Sequence, residues 1–291
     1  MKWGSILIGV LLSITAFGQK DDLFALMDIP ETSQITYATF KGTKIINAQS
    51  NETPGKGVLQ YIISHRFGSF SNDYFYNFLG LDNAQIRMQL DYGITDRLNI
   101  GIGRSSYRKV ADGFVKYRLL RQKSGAEFFP FSLTLYSSAF YRGARYIDGI
   151  DHYLSDRLSY HNQAIFTRKF SDKLSLLMAP SAVHWNLVPG ASDPNTTFHV
   201  QMGGRYKLTS RLALTAEICP GSNLEYSDGD RFYTPFAVGV DIETGGHVFQ
   251  FHLSNTNSMS DPLWMAQNPY NPWDGSIFLG FNISRVFTVK D

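Results

Sequence analysis

Between Ala84 and Ile94 every second residue is apolar: Ala84, Ile86, Met88, Leu90, Tyr92 and Ile94 alternate with Gln85, Arg87, Gln89, Asp91 and Gly93. A period of two belongs to a strand, whose side chains point in turn to opposite faces. The alternation returns over 198–208 and 236–243, and in shorter form over 98–102, 129–135, 212–218, 249–253 and 277–283. Helical spacing is sustained nowhere after residue 30. The pattern predicts strands at about 57–68, 82–94, 97–108, 111–121, 128–141, 156–170, 173–186, 197–208, 211–220, 231–243, 247–256 and 275–288, which make an even set of twelve.

One short element repeats between them. Ile94-Thr95-Asp96-Arg97-Leu98, Phe170-Ser171-Asp172-Lys173-Leu174 and Leu208-Thr209-Ser210-Arg211-Leu212 each combine an apolar residue, two small hydrogen-bonding residues, a basic residue and a Leu that opens the next strand. They begin at 94, 170 and 208, so the second offset is half the first and a hairpin pair recurs. Long aromatic and Gly/Asp-rich segments join the opposite strand ends, at 69–81, 142–155, 187–196, 220–231 and 256–275.

Alternation alone fits a soluble sandwich equally well. The N-terminus tips the reading. Residues 1–18 carry Lys2, an apolar stretch from Ile6 to Phe17, and Ala16 and Gly18 ahead of a cut before Gln19, the anatomy of a signal peptide. No later apolar run is long enough for a spanning helix. Tyr107, Tyr141, Tyr146, Tyr153, Tyr160, Trp185, Phe198, Phe232 and Tyr233 gather near strand ends, where headgroup-level aromatic girdles are expected. Backbone groups in hydrocarbon must all be paired, so such a sheet has to close. The fold class expected is all-β: a transmembrane antiparallel up-and-down β-barrel of about 12 strands in the cell outer membrane. Its expected parts are a signal peptide (1–18), an N-terminal periplasmic or plug segment (19–56) and the barrel domain (57–291).

Four stretches, Thr39–Asn47 (TFKGTKIIN), Glu52–Gly68 (ETPGKGVLQYIISHRFG), Asp91–Ser106 (DYGITDRLNIGIGRSS) and Asp112–Gln122 (DGFVKYRLLRQ), resemble an uncharacterised group of outer-membrane β-barrel proteins of Bacteroidota. The resemblance implies a membrane barrel and supplies no catalytic residue.

With the apolar set facing lipid, the inward candidates are Arg66, Arg87, Lys116, Arg118, Lys169, Arg205 and Lys207, with Asp91, Glu217, Asp241 and Glu243. Two readings stand: a mildly cationic pore or solute site, or a narrow barrel filled by mutually paired charges. Lys and Arg number 27 against 25 Asp and Glu, so no nucleic-acid partner is expected. Outer-membrane lipid is the expected surrounding, and a small solute and a periplasmic protein are the candidate partners.

No cofactor, metal or catalytic residue is assigned. The single cysteine, Cys219, permits no internal disulfide. Ser159, His161 and Asn162 are close in sequence, but neighbours on a strand face opposite ways and cannot form one triad. His65 is expected outward, and His199 and His252 inward and solvated. Asp148, Asp151 and Asp156, or Asp228 and Asp230, are weak calcium candidates that turn chemistry explains as well. Neither Gly101-Ile102-Gly103 nor Gly42-Thr43-Lys44 has the spacing of a nucleotide or phosphate loop. The connection 256–275, rich in Trp and Asx-Pro turns, is expected to be an outer lid or a mobile loop. The expected role is non-enzymatic passage or binding of a small solute, with a non-conducting anchoring or assembly barrel as the alternative.

Overall fold

The computed structural model describes residues 32–70, 74–146, 152–221 and 224–289; the expected signal peptide lies outside the described residues. Twelve antiparallel strands close into a barrel. They are β1 (Val58–Ser69), β2 (Gln85–Gly93), β3 (Leu98–Ser105), β4 (Val110–Leu120), β5 (Ser132–Arg142) and β6 (Leu158–Lys169), followed by β7 (Leu174–Trp185), β8 (Thr196–Lys207), β9 (Leu212–Ile218), β10 (Phe236–Thr244), β11 (His247–Ser254) and β12 (Phe278–Thr288). Each matches one expected strand. β12 pairs with β1 from Phe278↔Ser69 to Thr288↔Val58 and leaves no free edge. No helix among the described residues is long and apolar enough to cross a membrane.

The repeated short element has one chemical cause. In each copy the Thr or Ser hydroxyl accepts the backbone N–H groups two and three residues on: Thr95 from Arg97 and Leu98, Ser171 from Lys173 and Leu174, Thr209 from Arg211 and Leu212. The side chain thus satisfies donors that a tight turn would leave open. At the opposite end, the connection 106–109 between β3 and β4 is the one short exception among otherwise long loops.

The two faces differ in kind. On β2, Ile86, Met88 and Leu90 are 37–44% exposed, whereas Arg87, Gln89 and Asp91 are 1–3% exposed. An exterior of exposed Ile, Leu, Val, Met and Phe around an ion-bearing interior suits lipid outside and fits no water-soluble sheet. The interior is not polar throughout, however. On β4–β7 the inward positions include Phe114, Tyr136, Phe140, Ile165, Leu177, Ala179, Val183 and Trp185, all buried. Apolar side chains on both faces of a strand mean that both faces are covered, and the lumen holds what covers them.

Candidate functional site

Residues 39–51 enter the barrel from the short-turn end and turn back. Ile45 N–H donates to the Ala48 carbonyl (2.8 Å) and Ser50 N–H to the Thr43 carbonyl (2.9 Å), a tight hairpin with Ile46 and Asn47 at its tip. All but Lys41 and Gly42 are buried along this stretch. The segment leaves over the rim beside Gly93, where a Cβ would collide with the Gly55 carbonyl, so only glycine fits under the crossing chain. Residues 32–38 stay at the short-turn end, with Gln34–Ile35 paired to Lys123–Ser124.

A hairpin tip points its N–H groups inward on one another and forms a concavity that binds anions. Glu217 of β9 fills it. Its carboxylate accepts from the backbone N–H of Ile46 (3.1 Å), Asn47 (2.9 Å) and Ala48 (3.0 Å). Other strands complete the cradle: Arg66 of β1 donates to Asn47 Oδ1 (2.7 Å), Asn282 of β12 to the Ile46 carbonyl (2.9 Å), and Gln250 of β11 to the Ile45 carbonyl. Lys116 of β4 donates to the Thr43 carbonyl (3.0 Å), and Thr43 Oγ1 to Asp91 (3.1 Å). On the other flank Phe40, Ile45, Ile46 and Ala48 pack against Phe114, Tyr136, Ile165, Leu177 and Ala179.

A second insert comes from the opposite end. The connection after β11 folds into the barrel, and residues 254–266 are all buried. Its helix α1 (Asp261–Ala266) places Leu263, Trp264, Met265 and Ala266 against Val110, Phe140, Val183, Trp185 and Cys219. This corrects the expectation of an outer lid or mobile loop. Trp185 (8% exposed) and Phe232 (4%) are likewise not girdle residues: Trp185 points inward to hold the insert, and Phe232 packs edge-on against buried Tyr226 at 5.2 Å. Phe198, at 76%, does face lipid.

The two inserts meet at Asp261. Its carboxylate accepts from Tyr136 Oη (2.8 Å) and from Gln49 Nε2 (3.3 Å), and His161 Nδ1 lies 3.5 Å away. Burial works against the ionised carboxyl, but the Lys44 charge, His161 and Arg87 outweigh it and hold Asp261 well below the usual carboxylate range. Burial pushes the Lys44 ammonium down, with Asp261 opposing.

Of the expected inward residues, Arg66, Arg87, Asp91, Lys116, Arg205, Glu217 and Asp241 are buried in the interior. Arg118 is half-buried and grips the outgoing limb through the Asn51 carbonyl and Thr53. Arg205 bridges Glu243 (2.8 Å) and Asp241 (3.5 Å). Lys169 and Lys207 end their strands at the short-turn rim, half-buried, with Lys169 3.3 Å from Asp172. Sequence reasoning missed Asp112, whose carboxylate accepts from the two terminal guanidinium nitrogens of Arg87 (2.5 and 2.8 Å), although it shares strand parity with Lys116. With it, Arg66, Arg87, Lys116, Arg118 and Arg205 stand against Asp91, Asp112, Glu217, Asp241 and Glu243, and the positive excess is left to the two rim lysines.

His199 and His252 do point inward but are each 2% exposed, buried rather than solvated. His65 faces out and stacks on Phe281 at 5.1 Å. Ser159 and His161 are buried while Asn162 is exposed, so the three straddle the wall. Asp148 and Asp151 lie outside the described residues. Asp156 accepts from Tyr153 N–H and Asp228 from Asp230 N–H, ordinary turn bonds, and no group of metal-ligating residues occurs among the described residues.

Among curated proteins none matches the chain. Solved structures with a similar barrel include the NanC porin (TM-score 0.49, 8% identity, 80% of this chain and 100% of that one) and an outer membrane channel from Pseudomonas putida F1 (0.48, 16%, 80% and 96%). Outer membrane phospholipase A from Escherichia coli is another (0.41, 9%, 78% and 92%). At these identities no residue role passes between the chains. Residues 40–287 match the model of the membrane bound beta barrel domain (DUF5777), and the chain belongs to that family.

Proposed function

We propose that this membrane barrel is a gated passage for a small polar solute, filled in the present structure by the hairpin 39–51 at the short-turn end and by residues 254–266 at the other, and opened when the hairpin leaves and a path forms beside the outer insert. The observation that carries this reading is the bonding of the hairpin tip: three consecutive backbone N–H groups on one carboxylate, with Arg66, Gln250 and Asn282 around it. Hydrogen bonds to a charged group contribute roughly 1.5–3 kcal/mol each, but water replaces them when the partners separate. A hairpin bonded in this way is exchangeable for water in a manner that an apolar filling is not. Its departure uncovers Arg66, Lys116 and Arg118 together with Asp91 and Glu217, a wetted wall of mixed sign suited to polar solutes. The rim lysines, Lys169 and Lys207, add a weak bias toward anions at the short-turn mouth.

Planar-bilayer recording tests this. The native barrel is expected to be mostly silent with brief steps, and Glu217→Gln to lengthen the open periods. A disulfide between Ile45→Cys and Gly203→Cys, where a Cβ at 203 would lie 2.5 Å from Ile45 Cδ1, is expected to abolish the steps until a reductant is added. A membrane equally silent with native and Glu217→Gln protein overturns the proposal.

The anchoring alternative draws on a different observation. Gln34–Ile35 is docked on Lys123–Ser124, and Ile35 and Tyr37 are 36% and 66% exposed. The limb leading into the hairpin is thus presented at the short-turn mouth, where a periplasmic protein has access to it. Capture of such a protein through Tyr37, lost in Tyr37→Asp, in a barrel that never conducts, favours that reading.

A further inference from the structure

The lipid-facing wall is not uniformly convex. Across β4–β8 it sinks into a trough of about 1150 Å³, larger than the roughly 300–1,000 Å³ of ordinary ligand clefts. Ala164, Pro180 and Ala182 form the floor, and Leu135 and Phe198 stand on its flanks. Two polar side chains open into this otherwise apolar surface: Ser137 Oγ donates to Asn162 Oδ1 at 2.7 Å, and both residues are exposed. Among the described residues nothing accepts from the Asn162 Nδ2 group. A carboxamide with free donors on a lipid-facing wall is costly unless something there accepts from it.

The backbone beneath carries a second anomaly. Pro180 sits inside β7, a strand paired on both sides, where proline is rarely found because it has no N–H to give. The β6–β7 ladder is intact up to Gln163↔Ser181 and again from Phe166↔Met178, and lapses between them, under the trough floor. Inside the wall, Ile165 and Ala179 belong to the buried apolar cluster with the hairpin's Ile45, Ile46 and Ala48, so the gap is backed by apolar side chains.

We propose that this trough is a seat for one membrane phospholipid. An acyl chain lies along Ala164, Pro180 and Ala182, and its ester carbonyl accepts a hydrogen bond from Asn162 Nδ2. The choice of occupant follows from continuity with the lipid-facing band: the trough is lined mainly by the outward residues of β4–β8, its surface is almost wholly apolar, and the exposed Ser137–Asn162 pair offers a donor to a carbonyl rather than a charge to a headgroup. Ser137 fixes the Asn162 carboxamide by binding its oxygen, which turns the nitrogen outward.

Photolabelling tests the seat. The full barrel is reconstituted in phosphatidylethanolamine/phosphatidylglycerol vesicles containing a small fraction of phosphatidylethanolamine with a diazirine in its acyl chain, irradiated, and the adducts mapped by peptide mass spectrometry. Adducts are expected to concentrate on Leu135, Met178 and Pro180 over the equally apolar Val238, Phe251 and Leu253. Ala164→Phe, which fills the floor, reduces that labelling to the average of the belt. Asn162→Leu, losing one hydrogen bond, lowers it about two- to tenfold. Heat-dependent gel mobility shows that each variant is folded. Even labelling around the barrel, labelling undiminished in folded Ala164→Phe, or cross-links to a second copy of the chain in place of lipid adducts overturns the proposal.

Discussion

The two inserts fill one lumen with different balances of polar and apolar contact. In the hairpin, the backbone is bonded by side chains of the wall: Glu217, Arg66, Gln250, Asn282 and Lys116 reach from five strands to its N–H and C=O groups and to Asn47. The outer insert satisfies much of its own backbone, with Trp264 N–H on the Ser260 carbonyl and Gln267 N–H on the Leu263 carbonyl, and holds to the wall by packing Leu263, Trp264 and Met265 on Val183, Trp185 and Phe140. Polar bonds are recovered from water when an element leaves, and apolar burial is not. The hairpin also packs Phe40, Ile45 and Ile46 on the wall, but its tip is held by bonds that water can replace, so on the proposed reading the hairpin is the moving part and the outer insert the fixed one.

The sharpest way to break this contrast is Trp264→Ala. Emptying a buried Trp site costs about 3–5 kcal/mol, and we expect a matching drop in the urea midpoint for loss of the folded barrel in detergent micelles. A loss under about 1 kcal/mol would mean that the outer insert is as exchangeable as the hairpin. Next in size is Glu217→Ala, which removes the acceptor from three buried N–H groups. Its expected cost of about 2–4 kcal/mol falls on the hairpin and not on the barrel, so hydrogen exchange at Ile46, Asn47 and Ala48 accelerates while the urea midpoint changes little. Equal losses by both measures would tie hairpin and barrel into one cooperative unit and remove the distinction.

The contrast also marks what a reader of the sequence can and cannot recover. Period two with repeated Thr/Ser turns is local, and all twelve strands follow from it. Glu217 and Arg66 are recognisable as inward by parity alone, and Asp112 would have been with the same rule applied to Lys116. Their partners are another matter: Glu217 meets Ala48 across 169 residues, and nothing in TFKGTKIIN announces that its N–H groups will face a carboxylate. Trp185 fails for a different reason. An aromatic near a strand end looks the same whether it meets headgroups or anchors an insert, and only its shared parity with Ser175 and Ser181 hints that it turns inward.

A smaller effect, on pH, tests the contact between the inserts. Asp261, faced by Lys44, His161, Arg87 and Tyr136, has its carboxyl held low when docked. Departure of the hairpin removes Lys44, which helps hold that carboxyl low, so the docked state is favoured while Asp261 is ionised and that contribution is lost as pH falls through the acid range. Lys44 is held low as well, so hairpin insertion gains as pH rises toward the ordinary lysine value near 10.5. Both signs predict a barrel that is most firmly closed in alkali and most often open in acid. Single-channel open probability should rise on acidification to about pH 3, and Asp261→Asn should flatten the acid limb; an acid limb that persists in Asp261→Asn assigns it elsewhere.

The smallest expected effect concerns the neck of the hairpin, where Lys41 pairs with Glu243 at 2.8 Å. The Lys41 side chain is 43% exposed, and an ion pair open to water is worth about 0–1 kcal/mol and is screened by salt. Glu243 keeps Arg205 at the same distance without it. If the tip and not the neck holds the hairpin, Lys41→Ala leaves exchange at Ile46–Ala48 and the open probability nearly unchanged at 0.15 M salt. Should Lys41→Ala instead open the barrel as strongly as Glu217→Ala, closure would depend on charge at the short-turn mouth, open probability would climb with ionic strength, and the Glu217 cradle would be only the resting place of a hairpin latched at the rim.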